Sequence, residues 1–473
     1  MRGVRERELK FEVDPGFALP DLAGQPLEPR VFTSTYYDTP EHRLAAVGIT
    51  LRRRVENGRG LWQLKLPEGA ARREIEIPGG PARPPAEIAH LLPALVRARD
   101  LAPVAKLKTR REGVRVSDGG GAQAEVVHDS VTVLDARRVV GRFDELEVEL
   151  VEGDDDALGP IGKTLRRAGA RVGEFVPKLF RVLGKPSADG AAPLAGEAEV
   201  LREALAAQVR EILTHDPGTR LGADPEELHD MRVAIRRLRA FLKTAEDALE
   251  PEWRDDLRDR LRWLGGELGP VRDLDVLSDR LRDEAKTLEE PEARAARRIV
   301  DALEKDRQQA RSAMIAALRS DPYYELLDDL EEAARKPRVT GDVDLTGLAT
   351  KAFRKLRKQA REIAADSSDE MLHEVRKTGK KARYAAELAE PVASKGAARF
   401  VKQAKSFQDV VGEHQDAVVA EERLRELAAT RSGSSLLAAG RLIERERARR
   451  AAARAAYPKA WRRLEKAGKS AWS

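Results

Sequence analysis

Cysteine is absent from the 473 residues, which excludes disulfides, thiolate metal centres and a cysteine nucleophile and suits a reducing compartment. Aromatic residues make up only 4% of the chain, too few for a surface that stacks nucleic-acid bases. No apolar run approaches the ~20 residues of a membrane-spanning helix. The N-terminal MRGVRERELK is charged and lacks the apolar stretch of a secretory signal. Charge of one sign is not in excess either, since 86 basic residues against 81 acidic ones leave +5. Any role in binding anions must come from where the basic residues gather. These absences predict a cytoplasmic protein with no membrane contact, for which nucleic acid is a poor partner.

What the chain does have is charge, 35% of its residues, arranged in two patterns. Its length is too great for one core. Over the first part the pattern alternates with a period of two, as in ERELKFEV (6–13), LRRRV (51–55), LWQLKLP (61–67), REIEIP (73–78), KLKTRR (106–111) and FDELEVELV (143–151). Gly, Pro and Asp clusters separate these runs, which predicts antiparallel strands, with short helices around Pro85–Arg99 and Asp155–Ala168. LGKPSADGAAPLAG (183–196) is small and rich in Pro and Gly, as a linker is. After it the period becomes 3.6 in Ala, Leu, Arg and Glu, predicting an all-helical region to about Lys466, with breaks at Asp216–Gly218, Gly265–Gly266 and Lys336–Gly347. The expected fold is thus multidomain α+β. It comprises a strand domain over 1–183, a linker over 184–196, and helices over 197–473 in two repeats, about 200–335 and 345–465.

Residues two apart share a face of a strand. Glu6, Glu8 and Lys10 therefore point one way, as do Arg52 with Arg54, Lys108 with Arg110, and Glu145 with Glu147 and Glu149. Glu125 and Asp129 form a further acidic pair. If such a sheet closes into a barrel, the charged faces converge on its interior. Facing carboxylates then form an oxygen site suited to Mg²⁺ or Mn²⁺, and arginines and lysines neutralise phosphate oxygens.

The helical part repeats itself. His229, Arg232, Arg236, Arg237 and Arg239 are matched 144 residues later by His373, Arg376, Lys380, Lys381 and Arg383. Gly269, Arg272 and Asp273 are matched 143 residues later by Gly412, Gln415 and Asp416. Two matches in one order, at nearly one offset, indicate a duplicated helical unit. Each basic set falls on one helical stripe, which repels itself unless an anion answers it.

Six strings of the first part, E-x-E-x-K (6–10), TYYDT (35–39), LRRR (51–54), WQLKLP (62–67), KTRR (108–111) and ELEVEL (145–150), together resemble the CYTH family. These are the triphosphate tunnel metalloenzymes, which include inorganic triphosphatases, thiamine triphosphatases and class IV adenylate cyclases. The resemblance implies an eight-stranded antiparallel tunnel barrel that hydrolyses triphosphate to diphosphate and phosphate with Mg²⁺ or Mn²⁺. It implies metal binding by Glu6, Glu8, Glu147 and Glu149, with Asp129 as a further ligand. It implies substrate binding by Lys10, Arg52, Arg54, Lys65, Lys108, Arg110 and Lys178, with Lys106 and Arg111 as the alternative register on that strand. Glu6, Glu8, Lys10, Lys65, Glu147 and Glu149 form the implied catalytic set.

LHDMRVAIRRLR (228–239), LGPVRDLDVL (268–277), LHEVRKTGKKARY (372–384) and VGEHQDAVV (411–419) resemble the CHAD family. That resemblance implies two pseudo-symmetric helical bundles whose basic helices face a central cavity that binds inorganic polyphosphate. The implied contacts are His229, Arg232, Arg236, Arg239, Arg272, His373, Arg376, Lys380, Arg383 and His414. Association with polyphosphate granules is the location this implies. The rival readings are a barrel that holds phosphate chains without turnover, and thiamine triphosphatase or adenylate cyclase activity in the same barrel. Two P-loop-like endings, Gly162-Lys163-Thr164 and Gly468-Lys469-Ser470, lack the upstream Gly, since Ala157 and Arg463 stand there.

Overall fold

The computed structural model describes the chain apart from residues 1, 7, 15, 69–70, 82, 118–122, 154–157, 174–176, 185–193, 430–431 and 473, with side chains from Glu8 onward. Most of the expected 184–196 linker therefore lies outside the described residues, as does the side chain of Glu6. By compactness the chain divides into two units, Met1–Asp189 with Leu213–Glu227, and Gly190–Ile212 with Leu228–Ser473. Among the described residues no helix is long and apolar enough to cross a membrane.

The first unit is built on one antiparallel sheet. Its strands are β1 (Arg2–Glu6), β2 (Glu8–Glu12), β3 (Gln25–Asp38), β4 (Thr50–Glu56), β5 (Arg59–Glu68), β6 (Ala71–Pro78), β7 (Ala102–Ser117), β8 (Gln123–Asp135), β9 (Arg138–Glu152) and β10 (Arg171–Val172). They pair in the order β1-β6-β5-β4-β3-β7-β8-β9-β2-β10. The ladder therefore has ten strands where eight are expected, and it is not continuous around a ring. The difference lies in the N-terminal stretch, which is divided so that β1 pairs with β6 and β2 with β9, and in the two-residue β10. The N-terminal stretch thereby spans both sides of the sheet. Asn57 and Gly58, with φ of 48° and 76°, supply the two positive dihedrals of the tight turn that joins β4 to β5.

Alternation then sorts the side chains. Glu145 and Glu147 of β9 point inward and are buried, while Leu146 and Val148 point outward. The outward pair packs with Phe11 of β2, Val126 of β8, and Leu158 and Leu165 of α4 (Leu158–Arg167). The barrel wall is thus apolar on its covered outer face and polar within. At one end the interior is filled instead by Tyr36, Leu107, Val131 and Val133, against Ala45 of α1 (Arg43–Ala46) and Leu179 of α5 (Lys178–Leu183). The helices expected around 85–99 are two short ones, α2 (Ala86–Ala89) and α3 (Pro93–Val96).

The remaining elements among the described residues are α6 (Glu197–Leu221), α7 (Pro225–Thr244), α8 (Pro251–Lys286), α9 (Glu292–Leu318), α10 (Asp321–Arg335), α11 (Leu345–Arg361), α12 (Asp369–Ala389), α13 (Gly396–Ala429) and α14 (Ser434–Ala471). The expected break at 336–347 is present, and the Asp344 side chain caps α11 by accepting from the Gly347 N–H at 2.7 Å. The other two breaks are absent. α6 runs through Pro217, where Asp216 and Arg220 pair at 2.6 Å across one turn with both side chains buried. α8 runs through Gly265 and Gly266 over 36 residues, so the ~1 kcal/mol cost of each helical glycine is outweighed by the packing of its Leu face.

Asp38 shows how strand chemistry secures the barrel. It is fully buried, and its carboxylate accepts the backbone N–H groups of Thr39, Leu44 and Ala45 at 2.7, 2.9 and 2.9 Å. Asp38→Ala strands three buried donors and should cost about 2–4 kcal/mol, read as a lower midpoint for the first transition in urea unfolding. An unchanged midpoint contradicts this role.

Candidate active site

A cavity of about 220 Å³ runs inside the barrel. Glu8 of β2, Arg30 of β3, Arg52 of β4, Lys65 of β5, Glu74 of β6, Arg111 of β7, Asp129 of β8 and Glu147 of β9 all line it, so the sheet wraps around one shared interior. Its described lining includes eight basic and seven acidic side chains. The near balance means that position, not net charge, gives the cavity its chemistry. The residues of β3, β4, β5 and β7 that carry charge into it are basic, and those of β8 and β9 are acidic.

The acidic side is organised around Glu147. Its Oε1 accepts from Lys10 Nζ at 3.0 Å and Lys178 Nζ at 2.8 Å, and its Oε2 accepts from Arg111 at 2.7 Å. Lys178 also reaches Asp129 at 3.0 Å and Glu145 at 2.6 Å. Arg111 holds both oxygens of Asp129 at 2.8 Å and touches Glu149 at 3.3 Å. Burial opposes charge on Glu147, but Lys10, Lys178 and Arg111 outweigh it and hold the carboxyl well below its ordinary range. Burial likewise opposes the Lys178 ammonium, and Glu147, Asp129 and Glu145 hold it well above the usual lysine value. Glu147 and Lys178 therefore stay ionised together.

Glu149 differs. Burial and then the neighbouring carboxylates Glu147 and Glu8 work against Arg111 and Lys65, and its carboxyl is pushed up to about 7. Glu8 and Glu149 stand directly opposite in the β2–β9 ladder. Each of Glu8, Glu147 and Glu149 has an oxygen within 4.8 Å of those of the other two. Three buried or half-buried carboxylates at such spacing repel one another and supply hard oxygen donors only. The set therefore fits a divalent cation of the Mg²⁺ or Mn²⁺ type.

Across the cavity, Arg52 donates to Gln63 Oε1 at 2.8 Å and to the Tyr36 hydroxyl at 3.3 Å, and lies 3.8 Å from Glu74. Lys65 lies 3.6 Å from Glu74. Arg54 pairs with Glu56 at 2.6 Å and sits 3.7 Å above the Phe32 ring. Burial, then the cations Arg52 and Arg30, lower its pKa, so this wall gathers more positive charge than its own carboxylates quench.

Of the residues singled out in the sequence, Glu8, Lys10, Arg52, Arg54, Lys65, Asp129, Glu147, Glu149 and Lys178 meet in this cavity. The side chain of Glu6 lies outside the described residues. Asp129 is not among the carboxylates whose oxygens converge, and it is held by Arg111 and Lys178. Lys108 and Arg110 are a correction. Both are exposed on the outer face, Arg110 paired with Glu112, and Arg111 takes the inward position. The inward face of β7 begins with Leu107 in the apolar plug, passes through buried Thr109, and becomes charged only at Arg111. Charge alternation alone therefore points to the wrong parity. Arg30, Arg72, Glu74 and Glu76 also line the cavity. The last three share one face of β6 by spacing of two, a signal available in REIEIP and its preceding residues.

In the helical unit a second cavity, of about 610 Å³, is lined by Arg236, Arg239 and Lys243 of α7, Arg258 of α8, Lys351 and Lys355 of α11, and Lys377, Lys380 and Lys381 of α12, with Glu246 and Asp247 as the acidic lining. Helices α7 and α8 meet α11 and α12 there. Arg232 pairs with Asp273 at 3.1 Å and, in the second repeat, Arg376 with Asp416 at 3.8 Å. Each arginine is thereby tied to the following helix. His373 Nδ1 lies 2.7 Å from Gln415 Oε1, Arg383 pairs with Glu387 at 3.2 Å, and Arg272 lies close enough to repel Arg232. Of the ten implied polyphosphate contacts, Arg236, Arg239 and Lys380 line this cavity and the other seven do not. His414 is a further correction. It is buried, its Nε2 lies 3.0 Å from Asp369 Oδ1 at the start of α12, and burial lowers its pKa against the pull of Asp369. It is packed inside the bundle between α13 and the start of α12.

Residues 4–178 match the CYTH domain family and residues 203–425 the CHAD domain family. The chain is 33% identical to an uncharacterized protein of Mycobacterium tuberculosis, in strain CDC 1551 / Oshkosh and in strain H37Rv, over 98% of this chain and 97% of each relative. Among solved structures it is similar to PptA from Streptomyces chartreusis, with 24% identity and a TM-score of 0.49 over 56% of this chain and 98% of that one. It is also similar to the CHAD domain from the plant Ricinus communis, with 26% identity and a TM-score of 0.47 over 60% and 95% of the respective chains.

A divalent cation held by the Glu8, Glu147 and Glu149 oxygens would compete with protons for Glu149, whose carboxyl is held at about 7, so Mn²⁺ affinity should fall as pH drops through that value. The expected loss between pH 8 and pH 6 is about tenfold, measured by titration calorimetry, and Glu149→Gln should flatten the profile. A wild-type affinity that is level across this range contradicts the assignment.

Proposed function

Since this chain belongs to the CYTH and CHAD domain families, we propose that its barrel is a divalent-metal-dependent inorganic triphosphatase and its helical unit a polyphosphate-binding module. The observation that carries the first part is the Glu8, Glu147 and Glu149 oxygen cluster, facing a wall of Arg52, Arg54 and Lys65 within one cavity. CYTH proteins bind triphosphate substrates, and this arrangement supplies the two things such an anion needs, fixed positive charge and a site for a cation.

Glu8, Glu147 and Glu149 would hold Mg²⁺ or Mn²⁺. A cation there supplies charge neutralisation and Lewis acidity toward phosphoryl oxygens. Arg52 and Arg54 bind the phosphate chain, Arg with paired donors and Lys65 as a point charge. Lys10 and Lys178, kept protonated by the same carboxylates, neutralise charge that builds on the phosphoryl group and its leaving oxygen. The buried carboxylates act as ligands and water-orienters, and none serves as a covalent nucleophile.

The lining supports an inorganic substrate over a thiamine or adenosine derivative. Its aromatic side chains, among the described residues, are Phe32 and Tyr36. Phe32 is buried with Arg54 over its ring at 3.7 Å, and Tyr36 is buried in the apolar plug, so neither offers a free face to an organic ring. The barrel reading is tested by phosphate release from triphosphate, ATP and thiamine triphosphate with Mg²⁺ or Mn²⁺. Glu8→Gln and Glu147→Gln should each abolish metal-dependent release, and near-normal turnover in both refutes the site. Arg111→Ala should reduce kcat/KM at least about a hundredfold through loss of charge stabilisation, while Lys108→Ala and Arg110→Ala leave it nearly unchanged. The reverse ranking contradicts the inward register of β7.

For the helical unit, nine basic residues against two acidic ones in a single cavity support binding of a linear polyanion by charge. Polyphosphate affinity of the full chain should fall steeply with salt. Replacing Arg236 and Arg239 together by Ala should weaken it by roughly tenfold or more and flatten the salt slope. Affinity that does not respond to salt refutes charge neutralisation as the basis of binding.

A further inference from the structure

Among the lysines that line the helical cavity, Lys380 alone is half-buried, and Lys243, Lys351, Lys355, Lys377 and Lys381 are exposed. Lys380 lies on α12 one turn beyond Arg376. The groups that act on its charge are Arg376 and Arg383 on its own helix, Arg236 on α7, and the acidic Asp416 on α13. Burial, then the cations Arg376 and Arg236, with Arg383 behind them, outweigh Asp416 and push its ammonium down to about 8. Two other lysines of the same cavity have acidic partners beside them. Lys351 is 80% exposed and 4.0 Å from Asp247, and Lys377 is 49% exposed and 2.5 Å from Glu374.

A free amine is the nucleophilic form of lysine, and a lysine beside other cations loses its proton more readily. The same cations attract anions. An electrophile that carries a phosphate group is therefore both concentrated in this cavity and met by an amine able to attack it.

We propose that Lys380 is a modification site acylated by acyl phosphates, which lowers the cavity's affinity for polyanions. This rests on the reading that the cavity gathers phosphate groups. In the reaction Lys380 Nζ attacks the acyl carbon, the C–N bond forms and the C–O bond to phosphate breaks. Phosphate leaves with the bonding pair, and the amine's surplus proton passes to that phosphate or to water. No oxidant or reductant enters. The product is a neutral amide in place of a cation, so Arg236, Arg376 and Arg383 are left with less positive charge among them and a bound polyanion loses a partner.

The test uses the full-length protein at pH 7.5 with acetyl phosphate, and in parallel with an uncharged N-hydroxysuccinimide ester of acetate. Peptide mass spectrometry compares Lys380 with Lys351 and Lys377. With acetyl phosphate, Lys380 should be acetylated on the order of tenfold faster than either neighbour, polyphosphate should suppress the reaction, and Lys380→Gln should weaken polyphosphate binding. Equal rates at the three lysines overturn the proposal. Preference for Lys380 with the ester but not with acetyl phosphate also overturns it, and shows that the cavity fails to gather phosphate. Preference with acetyl phosphate in a protein that neither binds polyphosphate nor is protected by it upholds Lys380 as the acylated site, and overturns both the polyphosphate reading and the proposed effect of acylation on polyanion affinity.

Discussion

The interior of the barrel depends on one carboxylate, Glu147, being buried together with three cations. Lys10, Lys178 and Arg111 all end on it at 2.7–3.0 Å, and Lys178 and Arg111 pass the charge on to Asp129, Glu145 and Glu149. Removing one partner of such a buried set leaves an uncompensated charge at a cost of about 3–5 kcal/mol. The set therefore holds its members in place before any ligand arrives, which is what a site for a highly charged anion requires. The Glu8, Glu147 and Glu149 oxygens also converge, and burial together with the neighbouring Glu147 and Glu8 carboxylates pushes the Glu149 carboxyl up to about 7.

The two units treat charge in opposite ways. The barrel nearly balances its basic and acidic side chains within one cavity of about 220 Å³, so under the proposed function affinity for an anion would be tied to a cation held by the Glu8, Glu147 and Glu149 oxygens. The helical cavity gathers nine basic side chains against two acidic ones, with Lys243, Lys351 and Lys377 each beside a carboxylate. The repulsion is visible at Lys380 and Arg239, each lowered by burial and by neighbouring cations. Such a surface attracts any dense anion without demanding a particular geometry, and its strength varies with salt.

Much of this was legible in the residues. Period-two runs located most strands, and E-x-E-x-K with ELEVEL brought Glu8, Glu147 and Glu149 to one face, where facing registers complete the cluster. The doubled histidine and arginine strings marked helices α7 and α12, and the Arg–Asp pairs recur at matching places in both repeats. What was not legible depended on tertiary context. The parity of β7 turns on whether Leu107 faces an apolar plug or solvent, which KLKTRR does not disclose. Helices α6 and α8 continue through Pro217 and the Gly265–Gly266 pair because packing outweighs local propensity. His414 reads like its companions in the string but is turned into the bundle against Asp369. Arg72, Glu74 and Glu76 carried the same period-two signal as the recognised strands, and assigning them required knowing that β6 faces the cavity.

The facing of acid and base across a single interior is tested most directly by anomalous scattering from crystals grown with Mn²⁺ and a slowly hydrolysed triphosphate analogue. A manganese peak among the Glu8, Glu147 and Glu149 oxygens, with the phosphate chain extending from it to Arg52, Arg54 and Lys65, is the expected result. Manganese bound elsewhere, or a phosphate chain that leaves the cavity empty, contradicts it.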